Sequence, residues 1–285
     1  MLDAREMPLC PPMPHPESHR PSCRHIMSHH AVRDGQRHAT RDPRRVWPRI
    51  AIAMLSAVFA TTIGACGDST GMSDDSYDIA FDFSSDYQGW VAGFTDYPVG
   101  KEAEWAIGAS LAALPAPLDV SRKGIRLSGE NRSDDLFMYV THGVTGLMPN
   151  AQYGARFRVT LATNAPRNCV GIGGAPGESV VLKAGATSVE PGRVVDAEQY
   201  YRANFDHGSQ LAGGRDATPL GNIATSNANC ALPRYELKEF DSGTRPVTIS
   251  TDASGRLWLV VGVDSGFEGS TSVYITSIRI AFTPR

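Results

Sequence analysis

Lysine is scarce in this chain, and histidine almost disappears after the first fifty residues. Only 4 of the 27 basic residues are Lys, and 6 of the 8 His lie before residue 50. The formal net charge is −3, so the chain has no basic excess of the kind that marks a nucleic-acid binder. Beyond residue 65 only His142 and His207 remain, which leaves a His-based catalytic triad few options. We therefore predict no nucleic-acid partner.

Two kinds of long sequence pattern are also missing. No window shows a sustained helical period with caps; Ala103 to Leu114 comes nearest, and Pro115 and Pro117 end it. No apolar run reaches the roughly 20 residues that a transmembrane helix needs. Hydrophobic residues still make up 41% of the chain, which is enough to build a core and excludes global disorder.

The longest uncharged apolar run, residues 50–65, suits the apolar region of a signal peptide, and the arginines at 44–49 supply its basic flank. The sequence Ile-Gly-Ala-Cys at residues 63–66 resembles the lipobox of bacterial lipoproteins. That resemblance implies cleavage before Cys66 and acylation of its thiol, which would anchor the protein to a membrane. The alternative is an ordinary signal peptide followed by a coincidental Cys.

The remaining segments complete a four-part organisation. Residues 1–49 are rich in Pro, His and Arg without periodicity, so we predict no structure there. A misassigned start codon would explain them, and a His-rich metal-binding tail is the alternative. Residues 66–76 carry the lipidated Cys and a small, polar tether, and 77–285 form one domain. This organisation predicts an exported protein of the bacterial cell envelope.

The cysteine count favours one disulfide. Cys10 and Cys23 precede the predicted cleavage site and Cys66 is the lipid site, which leaves Cys169 and Cys230. An exported domain with two Cys usually pairs them. The pair would close a loop of about 60 residues, for which chain entropy gives roughly 4 kcal/mol of stabilisation.

Short stretches of alternating apolar and polar residues follow one another from Tyr77 onward. Residues 153–161 alternate over nine positions, and Trp258 lies on the opposite side of its strand from Leu257 and Leu259. Gly accounts for 26 of the 220 residues from Cys66 onward, well above the usual share of about 7%, which fits many turns. About ten strands without helices predict an all-β, antiparallel sandwich or barrel.

Three patches resemble jelly-roll carbohydrate-binding modules of the galactose-binding type. Residues 82–90 are similar to their opening strand, residues 146–153 to their Leu-x-Pro-x-x-x-Tyr corner, and residues 262–282 to their last two strands. The stretches 89–94 and 173–179 also resemble a family of uncharacterised bacterial lipoproteins. The resemblance implies a jelly-roll β-sandwich and a glycan or another polymer as ligand.

Two aromatic stretches supply most of the candidate ligand-binding residues. Residues 200–207 include Tyr201, Arg202, Asp206 and His207, which could bind a sugar or serve a lyase. The alternative is an ordinary strand with aromatic residues in the core. Trp90, Phe94 and Tyr97 lie in a loop-like context and are the best ligand-facing aromatics, although core packing is the commoner state of a Trp.

The Gly-rich stretch 171–179 contributes Glu178 as a further ligand-binding candidate. A strand-like sequence follows it and no Gly-Lys-Ser/Thr is present, so we predict a structural loop and no nucleotide. Asp82, Asp264 and Glu268 are candidates for binding a structural Ca²⁺, and the alternative is that they are solvated turn carboxylates. We predict no other cofactor.

These observations favour a lipid-anchored, non-catalytic module that binds a glycan or polymer. One alternative is a polysaccharide lyase or glycoside hydrolase, the latter requiring two carboxylates about 5 to 9 Å apart across a cleft. A second is a structural or assembly lipoprotein of unknown partner. All three rest on analogy with a fold.

Overall fold

The computed structural model describes residues 76–133, 135–243 and 246–285. Regular secondary structure in these residues is entirely β, which confirms the predicted all-β class. None of their segments is a helix long and apolar enough to cross a membrane. The predicted signal peptide, Cys66 and the tether lie outside the described residues, as do the His-rich residues before them.

One sheet has seven antiparallel strands around two long central ones. Its strands are β1 (Tyr77–Asp82), β4 (Gly108–Ala113), β5 (Lys123–Glu130), β7 (Gln152–Thr163), β12 (Glu236–Asp241), β13 (Val247–Ser250) and β15 (Ser270–Pro284). The order is β12-β7-β15-β5-β4, with β1 also pairing β15 and β13 also pairing β7. Because β7 and β15 are long, each has room for two short strands in succession along one edge.

The second sheet has five antiparallel strands. They are β2 (Val91–Thr95), β6 (Leu136–Val144), β8 (Val180–Thr187), β11 (Ala217–Asn222) and β14 (Leu257–Ser265), in the order β11-β8-β14-β6-β2. The alternate residues Leu257, Leu259 and Val261 are fully buried and face the other sheet, in one core with Ile278 and Phe282. Two sheets packed face to face over one core confirm the predicted β-sandwich.

A small third sheet covers part of the outer face of the five-stranded sheet. It consists of β3 (Tyr97–Pro98), β9 (Arg193–Val195) and β10 (Tyr200–Ala203). Beneath it Phe137, Tyr139 and Val260 are buried against Phe205 in a cluster separate from the main core. The sequence patterns predict neither β3 and β9 of this layer nor the short strands β2, β4, β11 and β12.

Three local predictions are confirmed. The Tyr153 hydroxyl accepts a hydrogen bond from the Met148 N–H at 3.0 Å, as in the tyrosine corner of other sandwiches. The stretch 171–179 leads into strand β8 and not into a helix. Cys169 and Cys230 form a disulfide across 61 positions of sequence.

Candidate functional site

A buried ion pair fastens the third layer to the five-stranded sheet. Lys183 on β8 and Asp264 on β14 have no exposed side-chain surface, and Lys183 Nζ lies 2.7 Å from Asp264 Oδ2. The same ammonium donates to the carbonyl oxygens of His207 at 2.8 Å and Ala212 at 2.7 Å. All three of its protons are therefore used, two of them to hold the loop that follows β10.

His207 is clamped between two carboxylates. Its Nδ1 lies 3.2 Å from Asp264 Oδ2 and its Nε2 lies 3.2 Å from Asp96 Oδ2, while its ring stacks on Phe137 at 4.2 Å. Burial by itself would lower the pKa of His207, but the hydrogen bonds and charges of Asp264 and Asp96 outweigh it and raise that pKa to about 9. At neutral pH the imidazolium donates from both nitrogens and does not act as a base.

Asp135 adds a carboxyl group that stays protonated at neutral pH. Burial, followed by its hydrogen bond to Asp264 and the charge of Asp264, raises its pKa to about 9. Asp264 Oδ1 and Asp135 Oδ1 are both buried without a hydrogen-bond partner in the described part of the chain, and two neighbouring buried carboxyl groups do not readily ionise together. With Asp135 neutral, the charges of Lys183 and His207 balance those of Asp264 and Asp96.

Two arginines on the third layer are occupied in a similar way. Arg202 reaches Asp196 at 2.7 Å and Asp96 at 3.1 Å. Arg193 lies 3.8 Å from the centre of the Tyr201 ring and donates to the Tyr97 hydroxyl at 2.6 Å. The structure thus brings together the predicted residues Tyr97, Tyr201, Arg202 and His207, but most of their polar groups bind one another.

Two of the aromatic residues predicted to face a ligand are buried. Trp90 is 3% exposed and packs edge-on against Phe81 and Phe83, and Tyr97 is 0% exposed. The ligand-facing position predicted for both is wrong, because each ring fills volume in the main core. Phe94 is half-buried and packs against the core, and it is also one of the residues that line the groove described below.

The other two predicted polar residues organise loops. Asp206 is exposed, and its carboxylate accepts from the backbone N–H groups of Gly208 and Arg215 at 3.1 and 3.0 Å. Glu178 Oε1 accepts from the Asn168 N–H at 2.8 Å, next to the disulfide. Both roles are structural in this geometry, and ligand binding by either residue stays a prediction.

The structure does not support the predicted calcium ligands. In the described ranges no three His, Cys, Asp or Glu side chains are grouped to hold a metal ion. Asp82 lies on the seven-stranded sheet, where it binds the Ser84 N–H, whereas Asp264 lies on the other sheet and pairs with Lys183. The calcium hypothesis is wrong for Asp82 and Asp264 because the fold places their carboxylates on different sheets, and Glu268 belongs to no such group in the described ranges.

A groove remains open where the third layer ends on the outer face of the five-stranded sheet. Its volume is about 240 Å³, and Val91, Tyr139, Thr141, Gly192 and Arg193 are among the residues that line it. The Thr141 hydroxyl is buried without a hydrogen-bond partner in the described ranges. This volume lies below the range of about 300–1,000 Å³ typical for drug-sized ligands, so the groove suits one ring of a longer chain.

Trp258 lies beside this groove and was missed as a binding candidate. Trp258 is opposite Gly143 in the register of β14 and β6, and a Cβ added at Gly143 would lie only 3.5 Å from the indole nitrogen. The indole therefore lies along the sheet, partly exposed, with the guanidinium of Arg256 at 5.1 Å from its ring centre. Alternation predicts that Trp258 lies on the other face of β14 from its aliphatic residues. The sequence does not show that Gly143 lies next to the indole, because that contact depends on the register of β14 and β6.

No protein family model and no curated protein matches the chain. A carbohydrate-binding module described for specific mannan recognition is 12% identical, with a TM-score of 0.33, over 73% of this chain and 98% of its own. A cleaved adhesin domain of Lys-gingipain from Porphyromonas gingivalis is 11% identical, with a TM-score of 0.33, over 72% and 97%. A family 11 carbohydrate-binding module from a cellulosomal cellulase of Clostridium thermocellum is 8% identical, with a TM-score of 0.33, over 72% and 94%. Similarity at this level does not bear on the ligand of this chain, and the fold assignment rests on the sheets themselves.

Proposed function

We propose that the protein is a non-catalytic glycan-binding module, held by a lipid anchor at the cell envelope of a bacterium. The observation that supports it is Trp258, which lies along the uncovered part of the five-stranded sheet beside the groove. The C–H face of a sugar ring packs well on such an aromatic surface. Thr141 lies two residues from Gly143 on the same face of β6, or about 7 Å away, so a neighbouring sugar unit would reach the groove.

The polar groups around the groove suit a sugar. Arg193 is 44% exposed and Arg256 is 50% exposed. The Arg256 guanidinium lies 3.5 Å from the Asp252 carboxylate and beside the Trp258 ring. Guanidinium groups with free N–H donors can bind sugar hydroxyl oxygens, and the Thr141 hydroxyl can both donate and accept. An aromatic platform flanked by a few polar groups is the usual composition of a ligand site.

The titratable groups near the groove favour binding over catalysis. The pKa of His207 is about 9, so its imidazole is protonated at neutral pH. Each of its two ring nitrogens lies 3.2 Å from a carboxylate oxygen. The ammonium protons of Lys183 are all donated to buried oxygens. A catalytic base needs a free lone pair within hydrogen-bond reach of its substrate, and these groups offer none.

A glycan array probed with the full chain, with and without Ca²⁺, tests the proposal. We expect a hit whose affinity falls at least tenfold in Trp258→Ala, because the aromatic platform is lost. Tyr77→Ala removes another exposed aromatic, on the other sheet, and should leave the affinity unchanged. If no glycan bound, or if the affinity fell equally in both variants, the proposal that the groove binds a glycan would be contradicted. If a product were released from the glycan, the protein would be an enzyme and not a binding module.

The lipid anchor has its own test. Full-length protein expressed in a bacterium should be found in the membrane fraction with an acylated mass, since two or three acyl chains anchor stably. Cys66→Ser should release it and abolish acylation, whereas Cys23→Ser, which alters a cysteine upstream of the predicted cleavage site, should not. Acylated protein in the Cys66→Ser sample would refute the assignment.

The assembly alternative also has one observation in its favour. Val170, Ile172 and Leu232 flank the disulfide and are 99%, 72% and 67% exposed. Exposed apolar residues near one another are typical of protein contact surfaces. If Val170→Asp with Leu232→Asp abolished co-purification of a partner while glycan binding stayed unchanged, this surface would have a role separate from the groove.

A further inference from the structure

The outer face of the seven-stranded sheet has a depression that neither the groove nor the buried network uses. Its volume is about 350 Å³. Ala80, Arg279, Arg158 and Asp241 stand opposite one another on four adjacent strands, β1, β15, β7 and β12. Because opposite residues in a sheet project to the same face, these four side chains form one row across it.

The next row completes the depression. Asp78, Ala281 and Arg156 are opposite one another on β1, β15 and β7, and all three line the same cavity. Ala80 and Ala281 have only a methyl group each, and the long arginine side chains stand around them. The two alanines therefore form a small apolar floor between guanidinium groups.

Two of the three arginines are already paired. Arg156 binds Asp241 through Nε at 2.9 Å and Nη2 at 2.7 Å, and Arg158 Nε lies 2.9 Å from the same carboxylate. The hydrogen bond and charge of Arg156 hold the pKa of Asp241 well below its usual range. Both oxygens of Asp241 are thus used, and none is left for a third arginine.

Arg279 is the third arginine, and its charge contributes to the lowered pKa of the Asp82 carboxyl. It is exposed, and within the described ranges it has no hydrogen bond or ion pair. It is directly opposite Arg158 across β15 and β7, an arrangement of like charges that is unfavourable in a sheet. A guanidinium in this position has its five N–H donors available to a ligand.

The surrounding carboxylates restrict what that ligand can be. Asp78 lines the depression itself. Asp82 on β1 and the exposed Glu239 on β12 lie in the row of residues next to that of Arg279. In that row Ser277 and Thr160 lie between the two carboxylates. Three carboxylates would repel a polyanion or an anionic membrane surface. They can accept hydrogen bonds from hydroxyl groups, so the site favours a ligand with one negative charge and several hydroxyls.

We propose that this depression binds one uronate unit, that is, a sugar ring with a carboxylate, within a polysaccharide whose neighbouring units are neutral. The carboxylate binds Arg279 through two parallel N–H bonds, a geometry that guanidinium favours. The sugar hydroxyls donate to Asp78, and the ring lies over Ala80 and Ala281. The site is on the opposite sheet from Trp258, so the inference does not rest on the proposed groove.

Isothermal titration of the full chain with a trisaccharide that carries one glucuronate between two neutral sugars tests the proposal. We expect binding that weakens at least tenfold in Arg279→Ala and that also weakens as salt is raised, since exposed charges are screened over about 8 Å at physiological ionic strength. Arg279→Lys should recover only part of the affinity, because an ammonium cannot form the paired bonds. Ala281→Leu should also weaken binding, although it keeps every charge.

The controls separate this site from the groove and from general charge. The methyl ester of the same trisaccharide should bind at least tenfold more weakly. Arg234→Ala, which removes another exposed arginine, and Trp258→Ala should leave uronate binding unchanged. Absence of binding, equal binding of the ester, equal affinity in Arg279→Ala, or binding to phosphatidylglycerol vesicles in its place would each overturn the inference, whatever the glycan array shows.

Discussion

At the scale of single residues, the burial of Lys183 is the least expected feature of the molecule. A lysine in a strand is ordinarily solvated, yet this side chain has no exposed surface and pairs with the equally buried Asp264. Removing two charges from water is costly, so such pairs are maintained only when further hydrogen bonds complete them. Here the carbonyl oxygens of His207 and Ala212 supply those bonds.

We predict that Lys183→Met destabilises the protein strongly. The change removes the ammonium from the buried Asp264 carboxylate and leaves the carbonyl oxygens of His207 and Ala212 without their donor. Breaking a buried pair in this way usually costs about 3–5 kcal/mol in the free energy of unfolding. Chemical denaturation measures it. Lys123→Met, at an exposed position of β5, is the matched control and should change stability by less than about 0.5 kcal/mol. A similarly small effect at Lys183 would contradict this account of the pair.

At the scale of elements, the strands that alternation predicts are those that span the sandwich. The alternating stretch predicted at 153–161 lies within β7, because Phe157 and Val159 are buried in the core while Arg158 between them is exposed. The short strands β3 and β9 have no such pattern. They exist because the chain after β8 folds back over Phe137 and Tyr139, a contact between residues far apart in sequence.

The disulfide acts at this scale, because it ties the loop before β8 to the loop before β12. We predict that replacing both Cys169 and Cys230 by Ala lowers the free energy of unfolding by roughly 4 kcal/mol, the chain-entropy estimate for a loop of this length. Denaturation of the oxidised protein and of the double variant compares the two. The reduced wild type should match the double variant, and a difference below about 1 kcal/mol between oxidised and reduced protein would show that the loops are held by other contacts.

At the scale of the whole molecule, the buried groups make stability depend on pH. His207 has a pKa of about 9 in the folded protein and about 6.5 when unfolded. Its contribution is therefore complete below about pH 6.5 and is lost as the pH rises towards 9. Asp135, with a folded pKa of about 9, acts in the same direction, because the folded state holds a proton that the unfolded chain releases.

We predict that the free energy of unfolding falls by about 2–3 kcal/mol or more between pH 6.5 and pH 9.5. Urea denaturation at both values measures it. In His207→Gln the fall should be smaller, because one of the two linked groups is gone. On the acid side, the pKa values of Asp96 and Asp241 are lowered in the folded state, so stability should also decline as the pH drops below their unfolded values. A flat profile from pH 6.5 to 9.5 would contradict the proposed proton linkage.

Much of the fold could be predicted from the sequence because its determinants are local. Alternation along β7 and β14, the corner ending in Tyr153 and the pairing of Cys169 with Cys230 depend on nearby residues or on composition, and the structure confirms all three. The acylation of Cys66 stays a prediction, since the structure describes residues only from 76 onward.

The tertiary structure alone decided which side chains meet. Trp90 and Tyr97 are buried where the sequence suggested a ligand, because local context does not show how much core volume a sandwich must fill. The pairing of Lys183 with Asp264 joins residues 81 positions apart, and the row that isolates Arg279 requires the register of four strands. Alternation determines the face on which a residue lies, but only strand order and register determine its neighbours.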